Sequence, residues 1–273
     1  MLSPPLVAVR RSIFALWGAG LACTGFSYLG GLESTRLNLF LATLVVELAG
    51  VAVAFAGRAR LAPGDPGRGI WTWIGVGLLL RLLAELRLAS LYLSIVPGFI
   101  RDDPLLWDIY FLGLRYLYTA SDLALLPALL RARRDLQSTG LDFHLRPRDA
   151  LLLVVLPPLP VTVYLLQSAL FAGAVDPGIH TFRLVGASIG AIVSGVCVVL
   201  ASPALQMGGG AWSWIWGAAA AVGVARALAF ACAAVAPTFH VALYVEQALL
   251  WSFACGWLLA TALHLRLVAP RPR

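Results

Sequence analysis

Residues 70–96 read IWTWIGVGLLLRLLAELRLASLYLSIV. As an α-helix rising ~1.5 Å per residue, this stretch is about 40 Å long and exceeds the ~30 Å hydrocarbon core of a bilayer. Only Arg81, Glu85 and Arg87 interrupt its apolar character. Seven further apolar runs of similar length flank it, at 12–31, 37–57, 105–130, 150–173, 183–203, 211–235 and 240–264. The expected fold is therefore an all-α polytopic membrane protein of eight transmembrane helices.

Composition agrees. The 273 residues are 60% hydrophobic and 12% charged, whereas soluble domains run ~45–50% apolar with ~25% charged residues. A soluble enzyme, a disordered chain, a coiled coil and a disulfide-stapled secreted domain are excluded on these grounds. The longest polar loop, 131–149, is too short to fold alone. An ATP-binding or soluble catalytic domain thus has no room, and any energy source is an ion gradient, a substrate or a partner.

All basic residues are Arg, 20 in number, and the formal net charge is +7. Without Lys there is no Schiff base and no P-loop cation. Arg-only usage with abundant Ala, Gly, Leu and Pro points to a bacterial chain of the inner membrane. The basic balance needs no nucleic-acid partner, because Arg collects in cytoplasmic loops and fixes orientation. Thirteen Arg lie in the termini and the even-numbered loops and three in the odd-numbered loops (Arg36, Arg101 and Arg183). Both termini are expected in the cytoplasm. The first span, with Arg10 and Arg11 ahead of it and Gly20-Leu21-Ala22-Cys23 within it, resembles a poor lipobox. Its apolar run continues through Leu29, which favours an uncleaved helix.

Two segments repeat. Gly69–Gly75 is GIWTWIG and Gly210–Gly217 is GAWSWIWG, each opening a span with paired Trp at the membrane interface. Arg36-Leu37 and Arg183-Leu184 open spans two and six in the same relative order. A duplication of four spans is expected, with an N-terminal half at 1–135, a cytoplasmic linker at 136–149 and a C-terminal half at 150–273. Halves of four spans run in the same orientation, related by an axis along the membrane normal.

Ionisable groups at membrane depth are costly and mark functional sites by default. Arg81 and Glu85 are four apart and share a helix face. Glu47 lies on a stripe with Thr43, Gly50 and Ala54 that suits helix contact. Asp108, Arg115 and Asp122 are seven apart and form another stripe, with Tyr118 and Thr119 on the same side. The repeat alignment sets Glu85 against Arg226 and Arg115 near Glu246. The expected ligand-binding cluster is Glu85, Arg115, Arg226 and Glu246, with Glu47 and Arg81 below it. A purely structural role as interhelical ion pairs is the competing reading.

Span five carries Pro157, Pro158 and Pro160 near mid-depth. Three missing amide donors predict a broken helix, which at that depth must be buried in protein or line a cavity. Gly186-Ala187-Ser188-Ile189-Gly190 matches G-x-S-x-G in letters, but it lies in a helix rather than at a strand–turn–helix elbow. The four Cys read as packing residues, and no metal or cofactor motif is present.

Three function classes follow. The first is small-molecule or ion binding and transport through the intramembrane cluster. The second is a non-catalytic sensor or accessory subunit docking a partner at the cytoplasmic loop 131–149. The third is a membrane-embedded thiol enzyme using Cys232, His240 and Arg226, disfavoured because no local catalytic motif accompanies them. The bilayer is the expected partner in all three. Reporter fusions at residues 100, 140, 178 and 273 are expected to read outside, inside, outside, inside; an external C-terminus contradicts the eight-span scheme.

Overall fold

A computed structural model describes residues 4–30, 33–93, 95–138, 147–155, 177–201, 211–235 and 240–268, with 158, 159, 161, 162 and 165. Every secondary-structure element among them is an α-helix. In chain order these are α1 (Pro4–Gly30), α2 (Glu33–Ala59), α3 (Pro66–Tyr92), the single turn α4 (Gly98–Arg101), α5 (Pro104–Ser138), α6 (Pro147–Val155), α7 (Pro177–Ala201), α8 (Ala211–Val235) and α9 (His240–Leu267). Four segments among the described residues are long and apolar enough to cross a membrane: Pro4–Gly30, Leu37–Ala59, Pro66–Ser90 and Tyr244–Leu267. Helices dominate because hydrocarbon offers no partner to a backbone amide, so each segment must satisfy its own.

Local sequence sets the helix starts. Pro opens α1, α3, α5, α6 and α7, at the position where a missing N–H costs nothing and the fixed φ suits the helix. Asp residues cap two of these starts. The Asp65 carboxylate accepts from Gly67 N at 2.7 Å. The Asp103 carboxylate accepts from Leu105 N at 2.9 Å and Leu106 N at 3.2 Å.

Six helices close into a ring. Around it, α2 packs on α3, α3 on α5, α5 on α7, α7 on α8, α8 on α9, and α9 back on α2. Outside the ring, α1 lies against α9 and α2, and α6 against α7. The outward surface is apolar, with Phe26, Leu29, Val45, Leu48 and Tyr116 exposed, as expected of helices that meet lipid. The interior combines large side chains with small ones. Trp71, Ile215, Phe253 and Leu263 are buried in one core with Ala54, Ala128 and Ala260.

Residues 131–138 are not loop. The helix α5 continues through Arg131, Arg133 and Arg134 to Ser138, so it overruns the expected linker boundary at 136. Arg, Ala, Leu and Gln are good helix formers, and Arg131 and Asp135 are four apart on the last turns. The proline break falls largely outside the described residues. Helix α6 is described as far as Val155, and Pro158 lies in a turn, its carbonyl accepting from Thr162 N at 2.8 Å. Pro157 and Pro160 are not among the residues described.

Close helix contacts depend on glycine where α3 meets α5. A Cβ on Gly77 would lie 2.9 Å from a Leu125 methyl and 3.1 Å from the Ser121 carbonyl oxygen. The Ser121 hydroxyl also donates to the Gly77 carbonyl at 2.7 Å. Gly77→Leu is expected to cost about 1–3 kcal/mol by overpacking, read as a lowered thermal midpoint in detergent. Gly18→Leu, where nothing lies within 4 Å, is expected to leave the midpoint unchanged.

Candidate functional site

Four helices of the ring bring charge to its interior. Arg81 on α3 is fully buried and flanked by two carboxylates. Its Nη2 lies 2.5 Å from Glu85 Oε1, one turn along the same helix, and its Nε lies 3.3 Å from Glu47 Oε1 on α2. The Glu47 contact is a hydrogen bond donated by Nε. The Glu85 contact is a close ion pair without hydrogen-bond alignment. Arg226 on α8 meets Asp122 on α5, with 3.5 Å between Nε and Oδ2. None of the five residues is more than 4% exposed.

Two aromatic rings join the pairs. The Arg81 guanidinium carbon lies 4.3 Å from the Tyr118 ring centre and 4.7 Å from that of Phe253. That of Arg226 lies 4.6 Å from Tyr118 and 6.0 Å from Phe253. Tyr118 comes from α5 and Phe253 from α9, so five helices contribute. A guanidinium stacks well on an aromatic face while its edge reaches carboxylates. At the margin, Gln247 on α9 donates from Nε2 to Thr43 Oγ1 at 3.3 Å, one turn from Glu47 along α2.

The expected site residues divide as follows. Glu47, Arg81 and Glu85 form one connected group, and Arg226 reaches it through Tyr118. Glu85 and Arg226 share that environment but take different ion partners, Arg81 and Asp122. Glu246 is half-buried on α9, next to the buried Gln247. The Arg115 and His240 side chains lie outside the described residues, and Cys232 is half-buried on α8. No group of three His, Cys, Asp or Glu suited to a metal ion occurs among the described residues.

Three participants were missing from the sequence reading of the site: Asp122, Tyr118 and Phe253. The first two were signalled, since Asp122 shares the α5 stripe with Tyr118. Phe253 carried no signal, because an aromatic in an apolar span looks like any core residue.

A second polar feature lies at the end of the bundle where α3 and α8 begin. The His264 ring stacks on Trp71 at 3.9 Å and tilts toward Trp212 at 6.2 Å. Nearby, Arg58 Nε donates to Thr72 Oγ1 at 2.7 Å.

Comparison of the chain with protein-family models, with curated proteins and with solved structures gives no significant match. The class defined by these features is an all-helical protein with apolar, membrane-length helices and a charged core.

Removing the shared cation is the most damaging change. Arg81→Gln strands two buried carboxylates and is expected to cost about 3–5 kcal/mol, seen as loss of folded protein after detergent extraction. Tyr118→Leu is expected to cost about 1–2 kcal/mol through lost cation–π contact. Tyr118→Phe keeps the ring and is expected to cost less than Tyr118→Leu. Equal losses for Phe and Leu would show that the ring face is irrelevant.

Proposed function

We propose that the chain is a multi-pass inner-membrane protein that binds and transports an ion or small molecule through the cluster of Glu47, Arg81, Glu85, Asp122 and Arg226. The observation that carries this reading is the concentration of five charged residues, none above 4% exposed, inside one small helical ring. Holding helices in register needs fewer. Each buried ion costs several kcal/mol of desolvation, and apolar packing achieves register without that cost. Among the described side chains, three carboxylates face two guanidiniums. That balance gives the cluster capacity to take up a proton or another cation.

The reading includes eight spans, two four-helix halves and cytoplasmic termini. Packing order supports the halves: α2–α3–α5 and α7–α8–α9 are two arcs with the same internal neighbours, joined by the α5–α7 and α9–α2 contacts. The first Trp of each repeated motif, Trp71 and Trp212, meets the same His264. The orientation is supported by the gathering of Arg10, Arg58 and Arg60 near Trp214, Thr72 and Leu265 at one end of the bundle.

Proteoliposomes carrying an internal pH dye test the ion reading. Wild-type protein is expected to dissipate an imposed pH gradient faster than protein-free vesicles. Glu47→Gln is expected to slow that rate at least tenfold while the thermal midpoint stays within a few degrees. A wild-type rate equal to that of empty vesicles, or a Glu47→Gln rate equal to wild type, contradicts the proposal.

A further inference from the structure

Away from the charged core, a cavity of about 790 Å³ opens between α1, α8 and α9. Its walls are almost wholly apolar, including Phe14 and Trp17 from α1, Gly217, Ala221 and Leu228 from α8, and Gly256 from α9. The small residues on α8 and α9 make the channel, since larger side chains there would fill it. It reaches from Ser213 to Leu228 along α8, about 22 Å at ~1.5 Å per residue. That length exceeds the ~15 Å depth of one leaflet's hydrocarbon.

The end of the groove at which α8 begins is polar and basic. There the Phe14 and Trp214 rings meet edge to face at 6.2 Å. The Arg10 guanidinium carbon lies 4.7 Å from the Trp214 ring centre, and Arg11 beside it is exposed. An apolar channel of this length with Arg at its mouth matches an acyl chain lying below an anionic headgroup. An Arg held over Trp keeps N–H groups free to meet a phosphate oxygen pair.

We propose that this groove binds one acyl chain of an anionic phospholipid, with the phosphate held at Arg10 and Arg11. The assignment rests on the apolar channel and the charge at its mouth, and is independent of the role of the buried cluster.

Native mass spectrometry of the detergent-purified full chain tests it, using phosphatidylglycerol and phosphatidylcholine as probes. The wild-type protein is expected to retain phosphatidylglycerol preferentially. Ala221→Trp fills the channel at an exposed position and is expected to weaken phosphatidylglycerol retention at least tenfold. Ala52→Trp, at an exposed site on α2, is expected to leave it unchanged. Arg10→Gln is expected to lower phosphatidylglycerol binding about fivefold, the effect of one interfacial basic residue, and to leave phosphatidylcholine binding unaltered. Equal wild-type retention of the two lipids overturns the proposal, as does undiminished binding by Ala221→Trp. Conversion of a dimer to a monomer by Ala221→Trp, without lipid loss, would assign the groove to a second copy instead. Should Ala221→Trp fail to fold, Arg10→Gln alone decides the matter: unchanged lipid selectivity there refutes the headgroup site.

Discussion

A guanidinium placed among apolar helices must be surrounded by compensating groups, and Arg81 organises the bundle around that requirement. Two carboxylates and two aromatic faces meet it at once, drawn from α2, α3, α5 and α9. Removing the guanidinium itself leaves both carboxylates uncompensated at high cost. The helices carrying them are therefore fixed relative to one another by chemistry, beyond the fixing that packing alone supplies. Arg226 repeats the device from α8, using Asp122 and the same two rings. Tyr118 and Phe253 thus act as a shared wall that lets two like charges occupy one interior.

The fold class was legible because a bilayer imposes a length and a composition that few other environments require. Residues 37–57 and 70–96 announce membrane helices without reference to any neighbour. The cluster was legible for a related reason, since a charge such as Glu47 or Arg81 in an apolar run must find a partner. Which partner it finds depends on azimuth and on ring order, and neither is encoded in one span. Glu85 takes as its close ion partner the guanidinium one turn away on its own helix, as the i,i+4 spacing allows, and still feels the charge of Arg226. An intrahelical pair at i,i+4 needs no assembly, so it wins over a distant partner. Asp122 was visible as part of a stripe, but only the ring's interior, where Arg226 reaches across from α8, reveals which cation it serves.

The groove between α1, α8 and α9 was not legible at all. Its lining consists of residues that sequence reading assigns to ordinary packing or to lipid contact. A cavity is a property of how three helices diverge, and divergence here follows from α1 lying outside the ring. The hydrogen bonds from Trp17 Nε1 to Ser252 at 2.8 Å and from Trp251 Nε1 to the Trp17 carbonyl at 3.0 Å tie α1 to α9. Contact with α8 comes through the Phe14–Trp214 edge at the basic end. The charged core and the apolar groove then share α8 and α9 as a common wall, with Arg226 and Phe253 toward the core and Ala221 and Gly256 toward the groove.

The central claim is that charges far apart in the sequence form one interior network. A double-mutant cycle on Asp122 and Arg226 tests it most directly, with Asp122→Asn, Arg226→Gln and the combined variant compared by unfolding in detergent. Asp122 and Arg226 are 104 positions apart in the chain, so coupling between them reports the bundle interior rather than local helix propensity. The account predicts that each single change is costly and that the double change costs less than their sum by at least about 1 kcal/mol, within the range found for contacting residues. Strictly additive losses would mean that the two side chains do not meet, and would contradict the network.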